Sequence, residues 1–267
     1  MSLEDRTRTT PRERNPVASI VRVLGAMAES DEPSFGVREL GRLLDSPPSS
    51  VQRILEIGAD VSLVTMSPSG RWELGWELYR LASLAQRKHP FQAATEILDE
   101  LSETTGETTL LTVYDPHRKA RMYVATAPGR RSVRFVPDLF KWLPLQAAAS
   151  ALAIIAYRPE QERRELYAAG LPIFAQGRQT GKKLESLMTS VRADGYALSH
   201  DQADVGASAV AAPIYTTGEV QSSIAVAMPN QRFDHISAAD LAQHVTRAAQ
   251  DLSHRLGDPL TVARGRT

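Results

Sequence analysis

The residues best placed to do chemistry sit between positions 38 and 71. Ser49, Ser50, Gln52 and Arg53 crowd into little more than one helical turn, Arg38 and Arg42 lie four apart, and Ser69 and Arg71 flank Gly70. A glutamine amide matches adenine's major-groove edge, a guanidinium matches guanine or a phosphate, and serine hydroxyls bind phosphate oxygens. These types in this spacing point to reading nucleic acid rather than to making or breaking bonds. The sequence has no G-x-S-x-G, P-loop, H-E-x-x-H or G-x-G-x-x-G motif, the usual marks of hydrolase, nucleotide or zinc chemistry. With no cysteines it has no thiol nucleophile, thiolate ligand or disulfide. Its histidines (His89, His117, His200, His235, His244 and His254) are scattered, without Asp or Glu at metal-ligand spacing. His200 and Asp201 adjoin in sequence, but neighbouring strand residues face opposite sides. No catalytic residue, metal or cofactor is expected.

The candidates need helices and a hairpin to hold them. Ile20, Val23, Leu24 and Met27 follow one helix face from Asn15 onward, and Val37, Leu40 and Leu44 mark a second, short helix. Asp45-Ser46-Pro47-Pro48 reads as a turn, with Ser46 as N-cap and Pro47 in the first helical position. Val51, Ile54 and Leu55 then face inward from a third helix, which leaves Ser49, Ser50, Gln52 and Arg53 outward. Strands over 63–66 and 71–74 flank Ser67-Pro68-Ser69-Gly70, a hairpin. Three helices followed by a hairpin form a winged helix-turn-helix, whose third helix enters the major groove while the wing meets phosphate or minor groove. Leu74, Leu78, Leu81 and Leu84 continue as a helix to about Lys88, ended by His89-Pro90.

The second half mixes elements. Helices are expected near 91–106, 145–157, 159–169, 181–193 and 241–256, and strands at 108–114, 121–127, 196–200, 207–215 and 220–228. This order suggests an antiparallel sheet flanked by helices, giving an α+β protein overall. Arg118, Lys119 and Arg121, with Arg130, Arg131 and Arg134, read as a solvated hairpin and loop, with attraction of an anionic ligand as the functional alternative.

Composition bounds the reading. The 267 residues are 42% hydrophobic and 23% charged, enough apolar material for a real core. No apolar run approaches the roughly 20 residues that span a bilayer, and the arginine-rich Met1–Asn15 reads as a disordered arm rather than a secretory signal. A cytoplasmic protein with no membrane partner is expected. Charge does not announce a DNA binder: residues 1–80 hold 10 basic and 12 acidic side chains, a net charge of −2. Such a domain must gather its arginines on one face.

Several runs resemble the IclR-type transcriptional regulators. They are Ser49-Ser50-Val51-Gln52-Arg53-Ile54-Leu55 and Gly70-Arg71-Trp72-Glu73-Leu74-Gly75, then Leu98-Asp99-Glu100-Leu101-Ser102-Glu103-Thr104-Thr105-Gly106-Glu107-Thr108, which matches L-x-x-L-x-x-x-T-G-E-T. Leu143-Pro144-Leu145-Gln146-Ala147, Gly195-Tyr196-Ala197, Ala211-Ala212-Pro213-Ile214 and the closing helix extend the resemblance, in order, over about residues 16–257. It implies a winged domain at 16–74, a linker helix at 75–89, a GAF-like effector domain at 90–257 and a tail at 258–267. It further implies a homodimer or, by pairing of dimers, a tetramer, with a pseudo-palindromic double-stranded operator and a small organic effector. The implied effector contacts are Leu145, Gln146, Ala147, Ala148, Ser150, Asp201, Ala209 and Ala227. Several depart from the family's pattern, which usually has His at Gln146, Thr or Ser at Ala148, Gly-Lys at Ala151-Leu152, Cys at Ala209 and Ser at Ala227. Fewer donors favour an apolar or aromatic ligand over a simple keto acid.

Two rival functions use the same residues. One is a winged-helix protein-interaction module, or a regulator that no longer binds an effector; the neutral N-terminal charge is its support. The other is a small-molecule hydrolase or sensor enzyme with an N-terminal accessory domain, which needs a nucleophile or metal that the sequence does not display.

Overall fold

The computed structural model describes residues 15–87, 90–145, 148–173, 177–179, 181–202 and 204–257. The chain divides into two compact units between residues 89 and 90. The expected N-terminal arm and C-terminal tail lie outside the described residues, apart from Asn15.

The first unit opens with α1 (Pro16–Ala28), whose N-cap Asn15 accepts a hydrogen bond from Val17 N–H at 3.0 Å. Helix α2 spans Val37–Leu43, and α3 spans Pro48–Asp60. Helix α3 starts one residue later than expected. A residue before proline is pushed out of the helical region, so Pro47 is extended (ψ 135°) and Pro48 takes the first helical position. Ser46 does not cap the helix; its hydroxyl donates to Leu44 C=O instead. Strands β1 (Val64–Met66) and β2 (Trp72–Leu74) form the wing, with Met66 opposite Trp72. Phe35 adds a third short strand by exchanging both backbone hydrogen bonds with Trp72. Val23, Met27, Leu40, Val51, Leu55, Val64 and Trp72 fill the core. Gly75 ends the wing where the backbone passes so close to Ser62 that a Cβ would sit 2.1 Å from its carbonyl oxygen. Helix α4 (Trp76–Arg87) follows.

The second unit is built on a six-stranded antiparallel sheet. In chain order come α5 (Ala94–Thr105), β3 (Thr108–Asp115), β4 (Ala120–Ala127), β5 (Leu143–Pro144), α6 (Ala149–Ile155), α7 (Glu160–Ala169), β6 (Leu171–Ile173), β7 (Gly177–Gln179), α8 (Gly181–Asp194), β8 (Ala197–His200), β9 (Ala207–Thr216), β10 (Glu219–Pro229), α9 (Asn230–Phe233) and α10 (Ala238–Arg255). The sheet order is β5-β4-β3-β10-β9-β8, and β6 pairs with β7 in a separate hairpin. Helices α5 and α10 cover one face; α6, α7 and α8 cover the other.

The alternation along β9 and β10 decides what each face can hold. Val210, Ala212, Ile214, Ile224, Val226 and Met228 pack toward α5 and α10. Ala209, Ala211, Ala225 and Ala227 point the other way. A strand face made of alanines lets α6 (Ala-Ser-Ala-Leu-Ala-Ile-Ile) lie close, and all seven of its residues are buried. Helix α6 is shorter than expected because Leu143–Pro144 pairs with Ala120–Arg121 as an edge strand, and Ala148 is still extended (ψ 146°). Strand β5 and the β6–β7 hairpin have no counterpart in the sequence reading.

Candidate functional site

Two sets of candidate residues occupy the two units. In the first, Ser49, Ser50 and Arg53 are exposed on α3 and Gln52 is half-buried, while Val51, Ile54 and Leu55 are core. Helical spacing thus turns the expected readers outward. Arg38 and Arg42 are exposed on α2, with Arg42 Nε donating to Arg38 C=O at 3.4 Å. Ser69 is exposed at the wing tip beside Gly70 (φ +74°), and its hydroxyl lies 2.8 Å from that of Ser67.

Arg71 departs from its expected role as a free wing contact. Its Nε donates to Ser34 Oγ at 3.0 Å, and its Nη2 donates to Ser34 C=O at 2.6 Å and to Glu39 Oε2 at 2.9 Å. The guanidinium braces the wing against α2. Glu39 also accepts from Gly36 N–H, and that bond, followed by Arg71, holds its carboxyl below the usual carboxylate range. Two polar residues of this unit escaped the sequence reading. Arg22, exposed on α1, donates to Leu44 C=O at 3.1 Å. Glu56, exposed on α3, accepts from Gln52 Nε2 at 2.7 Å.

In the second unit a small recess, partly open to solvent, lies on the α6 face of the sheet. Its wall is laid down by strand register: Ser199 pairs with Ala209, Ala209 with Ala227, and Ala227 with Thr108. Three of this row, Ser199, Ala209 and Ala227, line the recess, joined by Leu110, Tyr123, Ala225 and the start of α6 at Ala148–Ser150. Phe135 closes another side. It is tethered where Thr108 Oγ1 donates to its carbonyl at 2.8 Å. Asp204 stands exposed at the mouth. The lining is mostly hydrocarbon, with Ser150, Ser199 and Ser208 as its buried polar residues, the Ser208 hydroxyl being engaged by His200 and Asn230.

Among the expected effector contacts, Ala148, Ser150, Ala209 and Ala227 line this recess, while Leu145 and Asp201 do not. Leu145 is packed in the core. Gln146 and Ala147 lie outside the described residues. Asp201, at φ +55°, turns back on its own loop: its Oδ1 accepts from Gly206 N–H at 2.6 Å and Asn230 Nδ2 at 2.7 Å. Those two bonds, in that order, hold its carboxyl below the usual range. The turn also brings its Oδ2 to 3.6 Å from His200 Nε2, closer than strand alternation allows, because Asp201 lies just past the end of β8. Ser208 pairs with His200 across β8 and β9, and its hydroxyl faces His200 Nδ1 at 2.8 Å and Asn230 Oδ1 at 2.6 Å.

The basic cluster resolves into separate ion pairs. Lys119 meets Glu165 at 2.9 Å, Arg130 meets Glu103 at 2.8 Å, and Arg118 stacks on Trp142 at 5.1 Å. Arg121 is a correction to the solvated reading: it is 2% exposed and stacks on the Tyr123 ring at 4.8 Å. Strand alternation puts it on Tyr123's inward face. Beneath the loop, Glu107 (1% exposed) accepts from Arg232 Nε and Nη2, both at 2.6 Å, and lies 3.4 Å from Arg131 Nε. Among the described residues, no group of three or more His, Asp or Glu side chains is arranged to hold a metal, and no helix is long and apolar enough to cross a membrane.

Residues 82–254 match the model of the bacterial transcriptional regulator IclR C-terminal family. The chain belongs to the IclR family of bacterial transcriptional regulators. This IclR-family chain is 26% identical to the HTH-type transcriptional regulator KipR of Bacillus subtilis, over 85% of its own length and 91% of KipR. It is 28% identical to the HTH-type transcriptional regulator BhcR of Paracoccus denitrificans, covering 80% and 78% of the two chains. Its fold matches an IclR homologue of Microbacterium hydrocarbonoxydans, crystallised with 4-hydroxybenzoate, at a TM-score of 0.75 and 22% identity, covering 91% and 99% of the two chains. The winged N-terminal helices and the curled antiparallel sheet are the architecture of this family's regulators.

Proposed function

We propose that this IclR-type regulator is an operator-binding homodimer whose hold on DNA is set by a small, largely apolar effector in the recess. Residues 16–74 bind DNA, 75–89 link the two units and 90–257 hold the effector. The observation that carries the DNA role is the outward row of α3, where exposed Ser49, Ser50 and Arg53 flank half-buried Gln52 on a helix anchored by Val51, Ile54 and Leu55. A single helix of this kind fits the major groove. Self-association has its own support. Helix α4 exposes Trp76 (84%), Tyr79, Leu81 and Leu84, an apolar surface that a second copy would cover. Two copies read a pseudo-palindrome.

The effector class follows from the lining. Tyr123, Phe135 and a bed of alanines suit a ring, and the Ser150 and Ser199 hydroxyls suit one or two polar substituents. The 4-hydroxybenzoate in the complex of the Microbacterium homologue is a molecule of that chemical kind. No step of this function calls for a catalytic group.

The test is selection of genomic DNA fragments by the purified protein at near-physiological salt, beside a Gln52→Ala/Arg53→Ala control. A palindromic motif lost in the control supports the regulator. Equal recovery of all DNA by both proteins would leave only phosphate attraction and refute site-specific reading.

A further inference from the structure

Helix α3 carries an acid where a DNA-facing surface is expected to be basic. Glu56 lies four residues after Gln52 on the exposed side of the helix, and Gln52 Nε2 donates to its Oε1 at 2.7 Å. Residues 1–80, with 10 basic and 12 acidic side chains, have no excess positive charge to mask it. A carboxylate near a duplex is repelled by phosphates, so it weakens every complex except one in which a base supplies a donor. In the major groove guanine presents the acceptors N7 and O6, thymine presents O4, and adenine sets N7 beside its N6 amino group. Cytosine presents its N4 amino group without an acceptor of its own beside it. The hydrogen bond to Glu56 also orients Gln52: one amide hydrogen is engaged, while the carbonyl oxygen and second N–H remain for a neighbouring base.

We infer that Glu56 is a base-reading residue that selects cytosine at one position of each operator half-site, with Gln52 held beside it as a coupled reader. This rests on the DNA-binding role proposed for α3. It accounts for a recognition unit without net positive charge: sites are chosen by rejecting wrong bases more than by attraction to phosphate.

The test is sequencing of DNA selected by the full-length native chain, E56A and E56Q, with binding to a scrambled duplex measured by fluorescence anisotropy and folding checked by circular dichroism. The native motif should contain one cytosine per half-site that E56A no longer requires, with the ratio of specific to scrambled binding falling roughly tenfold. E56A should also bind the scrambled duplex more tightly than the native chain, because a repulsive charge is gone. E56Q, nearly isosteric, should shift that position toward adenine, the base a glutamine pairs with. A native motif unchanged in both variants, or weakening by E56A that is equal on all sequences, overturns the inference and leaves the regulator standing. A native chain that enriches no motif overturns both.

Discussion

In the N-terminal unit most candidate contacts are exposed side chains on helices whose opposite faces are core. Gln52 and Arg53 project from α3 while Ile54 and Leu55, the next two residues, are packed inside. In the C-terminal unit the candidate contacts are themselves part of the packing. Ser199, Ala209 and Ala227 come from three different strands, and the space they border exists because alanines face α6 where larger side chains face α5 and α10. Surface chemistry and structural integrity are therefore separable in the first unit and coupled in the second. Substitutions on the DNA face should change binding without changing stability, whereas substitutions around the recess should change both.

The largest effect expected from this contrast is at Glu107. Its carboxylate is 1% exposed and held by both nitrogens of the Arg232 fork, so Glu107→Ala leaves a part-buried guanidinium without its anion. Urea denaturation should show a loss of about 3 kcal/mol. An unchanged midpoint would mean that the pair does not anchor the loop beneath which it lies. Next come Gln52→Ala and Arg53→Ala, each expected to weaken specific operator binding by about 1–3 kcal/mol while leaving thermal stability within about 0.5 kcal/mol of the native chain. A large fall in melting temperature for either would break the proposed separation.

Ala227→Leu places a larger side chain in the middle of the recess wall. It should cost about 1–3 kcal/mol in stability and abolish any thermal shift given by 4-hydroxybenzoate or a related ring acid, with operator binding retained. A preserved shift would move the effector site elsewhere. The smallest effect concerns the wing. Glu39's carboxyl is held low first by Gly36 N–H and then by Arg71. Its folded value lies below its unfolded one, so its contribution is full above the ordinary carboxylate range and is lost as pH falls through the lowered value. Glu39→Gln should flatten that acid limb, read by hydrogen exchange at Phe35 and Trp72. Equal pH profiles for the two proteins would show that the Arg71 brace does not hold the wing.

The helices were legible in the sequence wherever one face alone is buried. Ile20, Val23, Leu24 and Met27, and Leu241, Val245, Ala248 and Leu252, repeat at helical spacing, and both segments are helices in the structure. The wing hairpin was legible from Ser67-Pro68-Ser69-Gly70, but its third strand was not, since Phe35 is a single residue joined to Trp72 across 37 positions. Most of the recess was hidden for the same reason. Ala209 and Ala227 were expected there, but Ser199, Leu110, Tyr123 and Phe135 join them only through register and a loop tether. One signal was present and went unread: alternation of alanine with Ile, Val and Met along 224–228 already says that one sheet face leaves more room than the other. Asp201 was assigned by position, and its left-handed backbone turned the carboxylate away.

Hydrophobic periodicity and turn residues in the sequence by themselves determined which helix presents Ser49, Gln52 and Arg53, because a helix fixes the direction of each side chain from local spacing alone. The same spacing sets Glu56 one turn beyond Gln52, its hydrogen-bond partner. Only the tertiary structure decided that Arg71 braces Glu39 and that Arg121 is buried against Tyr123. The first joins segments distant in sequence and the second chooses a face of a strand, and neither outcome is encoded in the spacing of residues along the chain.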